Sequence, residues 1–494
     1  MRIRGTPIVE QDQAVKVMVE ARYQEMKEKA KASVEKATAV SLTSDMWTSI
    51  NTEAYLAVTC HFVDESSTLN TVVLGVQYFP NAHTAENIAQ VKGSLMAEWA
   101  ITDKVTCLVT DGAANMGACA RELRLKHAIC IAHTLNLVVK KALDQTPELS
   151  DIRAKSRKIV GYFRSSTTAK ERLSVVQEQL RKPQLKLIQE VETRWNNTYN
   201  MLQRLFEQRE PVGAALASLT TDIPPMSSEE FGIISECLVV LAPFNDATTE
   251  LSQEKRVSGS KVIPLLTMLD HCLNEQMEKS PSIGSSLAQK LRMLLREKLD
   301  KIQTMSIMFL ATLLLCCYYV VIILYYIIII LLLCCYYVMS IMFLVTLLDP
   351  RFRKLGFLSP VRASEAEKIL KAECASVMRA STTSSSSAPP PQPSTSQSVE
   401  AVSHGNNLWR RLDESVRQTQ TQNVTADANI EDPLKYWERQ KYVYPHLYKL
   451  ALTYLCTPAS SVPLFSKAGE ILSKKRNRLR PATVEKLLFL NKNQ

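Results

Sequence analysis

The chain has 494 residues, 46% of them hydrophobic and 22% charged, an ordinary globular balance with room for roughly two to four domains and a large core. The formal net charge of +10 favours an anionic partner such as nucleic acid. The 12 cysteines are scattered, four of them as adjacent pairs in one apolar tract; that excludes a disulfide framework and fits a reducing compartment.

Met1 to Lys36 is charged and helical in pattern, so a secretory signal is not expected there. Ala39 to Trp47 reads as a strand running into Asp45 and then a loop. Ala54 to Val63 alternates, with Ala54, Leu56, Val58, Cys60 and Phe62 on one face. Asp64-Glu-Ser-Ser turns it into another β-rich run, Leu69 to Phe79. Thr84 to Trp99 is a predicted helix, N-capped by Thr84, with Ile88, Val91, Leu95 and Trp99 at helical spacing. Val105 to Thr110 is then a short buried strand that breaks at Asp111-Gly112. Carboxylates at the C-terminal ends of strands stand where open α/β sheets bind ligands and metals. Side by side, these two strands would bring Asp45 and Asp111 to one point, where they could share a divalent ion. The plainer alternative is two turn-forming aspartates.

A helix is expected from Cys119 to Leu125, a strand from His127 to Ala132, and an amphipathic helix from His133 to Leu143 with Leu135, Val138, Val139 and Ala142 inward. Cys130 and His133 have C-x-x-H spacing, but zinc needs about four ligands and no second Cys/His pair lies nearby, so no zinc is expected. The pattern is helical from 149 to 302, with segments at Ile152–Phe163, Leu173–Leu180, Asn200–Arg209, Glu229–Leu241 and Val262–Met277. Met305 to Leu348 holds no charge and says nearly the same thing twice, Met305-Ser-Ile-Met-Phe-Leu-Ala-Thr-Leu-Leu314 and Met339-Ser-Ile-Met-Phe-Leu-Val-Thr-Leu-Leu348. It is long and apolar enough for a membrane span. Its doubled letters and nested repeats also suit a simple-sequence duplication, and it would be an aggregation hazard in a soluble domain. Ser381 to Ser398 is a Ser/Pro linker. Helices are expected at Leu408–Val416, Pro433–Arg439 and Leu447–Leu455, and Lys474, Lys475, Arg476 and Arg478 form a basic cluster suited to nuclear import or phosphate contact.

Three strands, a helix and the Asp111 strand is the opening order of an RNase H-like fold. Leu42-Thr-Ser-Asp-Met-Trp-Thr48, Leu108-Val-Thr-Asp-Gly-Ala-Ala-Asn115, Cys130-Ile-Ala-His133 and Glu192-Thr-Arg-Trp-Asn-Asn197 stand in the order of the motifs of hAT transposases. Asp432-Pro-Leu-Lys-Tyr-Trp437, Tyr444-Pro-His-Leu447, Ala459-Ser-Ser-Val-Pro463, Phe465-Ser-Lys-Ala-Gly469 and Arg476-Asn-Arg-Leu479 resemble that family's C-terminal dimerisation region. The chain thus resembles the hAT family, nearest to its BED-finger-associated and domesticated members. The finger these relatives often carry is not expected in this sequence, in which the first cysteine is Cys60.

The resemblance implies an α/β fold: an RNase H-like mixed sheet interrupted by a large all-α insertion domain, with C-terminal helices completing the core. Along the chain that means an N-terminal helix (1–38), the first part of the sheet domain (39–148), the insertion (149–302, continuing at 349–380), the apolar tract (303–348), a linker (381–430) and the dimerisation region (431–494). It implies Asp45 and Asp111 as catalytic and Mg²⁺-binding acids. It also implies His133, Arg194 and Trp195 at a DNA end, the indole stacked on a base and the guanidinium on phosphate; a Trp packed at a helix start is the alternative. Trp437, Tyr444, Leu447, Leu450, Leu455 and Phe465 would form a homodimer surface. Cleavage in this family takes a third carboxylate, a Glu in Ser-Glu-Arg-x-Phe-Ser, with two metal ions. Here the chain reads Ser461-Val-Pro-Leu-Phe-Ser466, and the triplet with its acid is missing. Glu470, the nearest substitute, lies about two turns further on, roughly 12 Å along a helix. The expectation is therefore a nuclear, DNA-binding, homodimerising transposase derivative without catalysis. Against it stand an active transposase using Glu470 and a membrane-anchored protein.

Overall fold

The computed structural model describes residues 8–49, 51–191, 194–253, 255–279, 281–304, 341–357, 360–381, 432–460 and 479–493. At its centre is a five-stranded sheet in the order β3-β2-β1-β4-β5, built from β1 (Val40–Thr48), β2 (Ala54–Val63), β3 (Leu69–Tyr78), β4 (Val105–Thr110) and β5 (His127–Ile129). β1, β2 and β3 are antiparallel hairpin neighbours, whereas β4 and β5 run parallel to β1. A parallel partner needs a crossover, and α2 (Ala85–Glu98) supplies it, N-capped by the Thr84 hydroxyl as its sequence predicts.

The two faces divide by residue parity. Val40, Leu42 and Leu108 pack in one cluster with Leu95, Met96 and Trp99 of α2, with Met26, Ala30 and Val34 of α1 (Ile8–Glu35), and with Phe489. Cys107 and Val109 point the other way, into the cluster that joins α4 (Ile131–Asp144) to the helical layer. α3 (Ala114–Glu122) bridges β4 to β5. It starts earlier than expected, and β5 ends at Ile129, because the Cys130 thiol accepts from the His133 backbone N–H at 3.4 Å and begins α4 there.

The helical layer comprises α5 (Pro147–Ser165), α6 (Thr167–Gln179), α7 (Trp195–Glu207), α8 (Arg209–Ala217), α9 (Ser228–Leu251), α10 (Val262–Met277) and α11 (Ile283–Thr304). Two boundaries differ from expectation. α7 starts at Trp195, five residues early, where Arg194 is in extended backbone. α9 carries on past Pro243 to Leu251 because Leu241, Phe244, Ala247 and Leu251 are all buried on one face and hold it helical. α9 is also long and apolar enough to cross a membrane by composition, but it opens on a Ser227–Glu230 capping box and packs in the layer's core.

Of the apolar repeat, residues 305–340 fall outside the described residues, and with them most of the stretch on which a membrane reading was based. Residues 341–348, the end of the second copy, are helical and buried in the main core rather than part of a separate tract. Asp349 then accepts from the Arg351 guanidinium at 2.7 Å and closes the turn into Phe352. The expected helix at Leu408–Val416 lies outside the described residues.

The C-terminal segments do complete the core. After α12 (Pro360–Ser381), α13 (Pro433–Gln440) inserts Trp437, whose indole N–H donates to the Leu348 carbonyl at 2.6 Å. α14 (Pro445–Leu455) buries Leu450, Ala451, Tyr454 and Leu455. α15 (Pro481–Lys492) lies over the edge strand β3. Just beyond it, the Asn493 side chain accepts from Val73 N at 2.8 Å and donates to Val73 O at 3.0 Å, a neighbouring-strand imitation that closes an otherwise open edge.

Asn493→Ala removes both bonds and should cost about 1–2 kcal/mol. Urea unfolding followed by circular dichroism reads this as a lower midpoint at unchanged slope; an unmoved midpoint would assign edge closure to α15 packing alone.

Candidate functional site

In the β1–β4 ladder the last recorded pair is Thr43 with Val109. Asp45 and Asp111 each stand two residues further on, Asp45 still inside β1 and Asp111 just past the end of β4, so the parallel register brings them towards one level at the same end of the sheet. Both are half-buried at the C-terminal edge of the sheet. Asp45 accepts from Met46 N at 3.0 Å, and Asp111 from Ala113 N at 3.1 Å. Gly112 makes this turn at φ +81°, where a Cβ would be strained and would meet Ile129 Cγ2 at 3.0 Å. Burial, and then the negative charge of Asp111, push the Asp45 carboxyl up to about 6, while the Met46 N–H and Arg194 oppose that rise. The Asp111 charge thus bears on Asp45. The expected strand end at Asp45 is not found, because β1 runs on through it to Thr48, held by its pairing with β2, whereas Asp111 does follow the end of β4.

Arg194 is the N-cap of α7, on the helical-layer side of the sheet, and its charge acts on Asp45. Lys92 comes from the opposite side, on α2. It is 0% exposed, with its ammonium 3.4 Å from the Met116 sulfur. His127 sits beneath Asp111, with Nε2 2.8 Å from Thr110 Oγ1, and burial plus the charges of Lys92 and Arg121 hold its imidazole down at about 4. Among the described residues, no three His, Cys, Asp or Glu side chains cluster to hold a metal. The two carboxylates could share one divalent cation.

Sequence reasoning missed two residues here. Asn136 of α4 accepts from Trp195 N at 2.9 Å and ties the Arg194 segment to the helix that follows β5. Nothing in the sequence distinguished it from other asparagines. Lys92 did leave a signal, for it stands four residues after Ile88 and three before Leu95, inside the apolar stripe of α2. The Arg194 segment is braced from behind by Glu190, whose buried carboxylate meets Arg153 and Arg157, each at 3.2 Å, and the Thr198 hydroxyl.

His133 lies half-buried in the first turn of α4, just off β5 at the same sheet edge. Trp195 is 1% exposed and meets Tyr199 edge-to-face at 6.3 Å between centroids. The packed helix-start indole is the reading the structure supports; a ring enclosed this way does not stack on a base. The surface assigned to dimerisation also needs correction. Trp437, Leu450 and Leu455 are buried within the chain and Leu447 packs on the same core, because α13 and α14 use them to fill the space beside residues 341–348. Tyr444 is exposed, together with Tyr442 and Val443, at 50%, 72% and 62%. Phe465, Glu470, Lys474, Lys475, Arg476 and Arg478 lie outside the described residues.

Three family models match the chain: the ZBED1 RNase-like domain over residues 43–137, the ZBED1 RNase-like helical domain over 128–236, and the hAT family C-terminal dimerisation region over 412–494. The first spans both aspartates, and the second takes in Arg194 and Trp195. Human zinc finger BED domain-containing protein 4 is 25% identical over 92% of this chain and 37% of its own length. The putative AC transposase of Zea mays is 23% identical over 91% of this chain and 56% of its own. The zinc finger BED domain-containing protein DAYSLEEPER of Arabidopsis thaliana is 24% identical over 90% of this chain and 62% of its own. The chain thus spans less than two thirds of each of these relatives.

The raised Asp45 carboxyl has a signed consequence. Its folded value, about 6, lies above the ordinary 3.8, so the native state holds this proton more tightly. The group's contribution is most favourable below about pH 4 and is lost as pH rises to about 6. Asp45→Asn should therefore stabilise the protein by about 2–3 kcal/mol at pH 7.5 and by little at pH 4. Denaturant melts at the two pH values make the comparison, and an equal gain at both would reject the raised Asp45 carboxyl.

Proposed function

We propose that this chain, which is of the hAT transposase lineage that includes the ZBED proteins and the AC transposases, is a nuclear DNA-binding homodimer that has lost DNA cleavage. The observation that carries this reading is the pair Asp45 and Asp111 at one end of the β1–β4 ladder in a chain whose Ser461-Val-Pro segment lacks the family's third acid. In the RNase H-like reading, the helices from α5 onward are an insertion between the β5 side of the sheet and the C-terminal helices that finish it.

Asp45 and Asp111 would hold a single Mg²⁺, which supplies Lewis-acid polarisation of a phosphate oxygen. Arg194, held by Asn136 and by the bracing at Glu190, is placed to pair a backbone phosphate beside the acids. His133 stands at the rim of the same edge. A second cation needs a further carboxylate to activate the attacking water, and that position in the motif is empty of acid. The cleft then grips DNA without cutting it. The basic run from Lys474 to Arg480 adds sequence-independent phosphate attraction and suits nuclear import.

Incubated with supercoiled plasmid and Mg²⁺ or Mn²⁺, the protein should shift the plasmid on a gel yet leave it unnicked, indistinguishably from Asp111→Asn. Nicking that Asp111→Asn abolishes would instead establish an active transposase with another third acid. Homodimerisation is assigned to the exposed Tyr442, Val443 and Tyr444 within the dimerisation region. Tyr442→Asp with Tyr444→Asp should convert a dimer to a folded monomer by light scattering coupled to gel filtration; a persistent dimer would place the interface elsewhere.

A further inference from the structure

The residue that caps a helix N-terminus is usually a serine, threonine, aspartate or asparagine, whose side chain accepts from the orphan amides of the first turn. α7 has an arginine in that position. The Arg194 side chain does not cap the helix, and it sets a positive charge at the end where the helix dipole is already positive. Local rules of this kind are broken at functional sites, where the surrounding structure has to hold what the sequence leaves unfavourable.

The first turn of α7 is held residue by residue. The Trp195 N–H donates to Asn136 Oδ1 of α4 at 2.9 Å, which makes Asn136 a cap supplied from another helix. The Asn196 side-chain amide donates to Asn245 Oδ1 of α9 at 2.8 Å. The Asn197 amide turns back to the Val191 carbonyl at 3.2 Å, and the Thr198 hydroxyl donates to Glu190, both in the segment that leads into the helix. Asn245 differs from the other three, because it satisfies no backbone group of α7 and bonds only to a half-buried side chain two residues from Arg194. It is available there because α9 continues past Pro243, in the stretch that a stop at the proline would have removed. Its own carbonyl receives the Thr249 hydroxyl at 2.8 Å. The Asn136 bond runs along the α7 axis, from an N–H, and the Asn245 bond runs outward from a side chain. Together they fix both the height and the rotation of the turn that carries Arg194.

We propose that Asn245 is a positioning residue for DNA binding, which acts through Asn196 to fix the rotation of the first turn of α7 and so holds Arg194 where its guanidinium pairs a backbone phosphate. The inference rests on the reading of Arg194 given above. A guanidinium takes phosphate by two parallel N–H bonds, and a small rotation of the helix start destroys that geometry. The alternative is an amide pair that only packs α7 against α9, and its loss would have no tie to Arg194.

Fluorescence anisotropy of the full chain with Mg²⁺ and a short labelled duplex of random sequence reads the affinity across a salt series. Arg194→Gln should weaken binding about tenfold and lower the slope of log affinity against log salt by about one. Asn245→Ala should weaken binding about fivefold in the unaltered protein and by less than about twofold in the Arg194→Gln background. Asn196→Ala removes the same bond from its other side, should repeat both results, and serves where Asn245→Ala fails to fold. An equal loss from Asn245→Ala in both backgrounds, or no loss where Arg194→Gln does weaken binding, overturns the role given to Asn245 and leaves the reading of Arg194 in place. Binding unmoved by Arg194→Gln overturns that reading, and the role of Asn245 with it.

Discussion

Two parallel strands that carry carboxylates to one end of a sheet are a costly arrangement, and the rest of the molecule is organised around tolerating it. The β1–β4 ladder brings Asp45 and Asp111 towards one level at that end. Burial first, and then the Asp111 charge, raise the Asp45 carboxyl. Separating them would require a register slip, and a slip of one residue would turn Leu42 and Leu108 out of the core. The acids are therefore locked together by the apolar alternation on either side of them. What remains free to vary is what the two flanking layers place around them.

Those layers come from distant parts of the chain. α2, carrying Lys92, packs under the sheet with α1 and with Phe489 of α15, so the first and last helices support the same face. Tyr23 and Phe489 meet edge-to-face at 4.9 Å, and Lys27 reaches Glu98 at the end of α2 at 2.5 Å. On the other face Arg194 depends on Asn136 and Glu190, and Glu190 on Arg153 and Arg157 of α5. A buried carboxylate between two guanidiniums is strongly destabilising if one partner is lost. Lys92 and Arg194 thus both sit on helices that distant parts of the chain hold in place.

The sheet was legible in the sequence because its strands alternate, its turns are marked by Asp, Ser and Gly, and its crossover helix has a threonine cap. Asp111 was legible because it follows a β-rich run, whereas Asp45 stands inside β1, whose last three residues read as loop until β2 is there to pair with them. Legibility failed where a side chain's fate depends on distant parts of the chain. Trp195 heads a motif that suggests a ligand, but whether a Trp at a helix start is buried is decided by Tyr199 and by α9 packing against α7. Trp437, Leu450 and Leu455 have the bulk of an interface, and spacing does not reveal whether that bulk faces its own core or a second copy. The α9 boundary was missed because a proline is locally a stop, whereas the buried stripe that overrides it extends on both sides.

The apolar repeat gives the clearest case of tertiary context choosing between identical words. Residues 305–314 and 339–348 differ only at Ala311 and Val345, so no local propensity separates them. The second copy alone is followed by Asp349-Pro-Arg-Phe352, and that phrase supplies the anchors. The buried Asp349 takes a two-pronged bond from Arg351, the Leu348 carbonyl accepts the Trp437 indole, and Phe343 stacks edge-to-face on Phe357 at 5.4 Å. Thr346 reaches the Ser260 carbonyl, and Val345 packs beside Gly259, where the backbone is too close to Thr457 to admit a side chain. Each of these contacts depends on the fixed distance from Asp349. A slot with polar anchors at one end selects the segment that is covalently joined to those anchors, and the core thereby draws residues 341–348 out of a tract that composition alone would hand to a membrane.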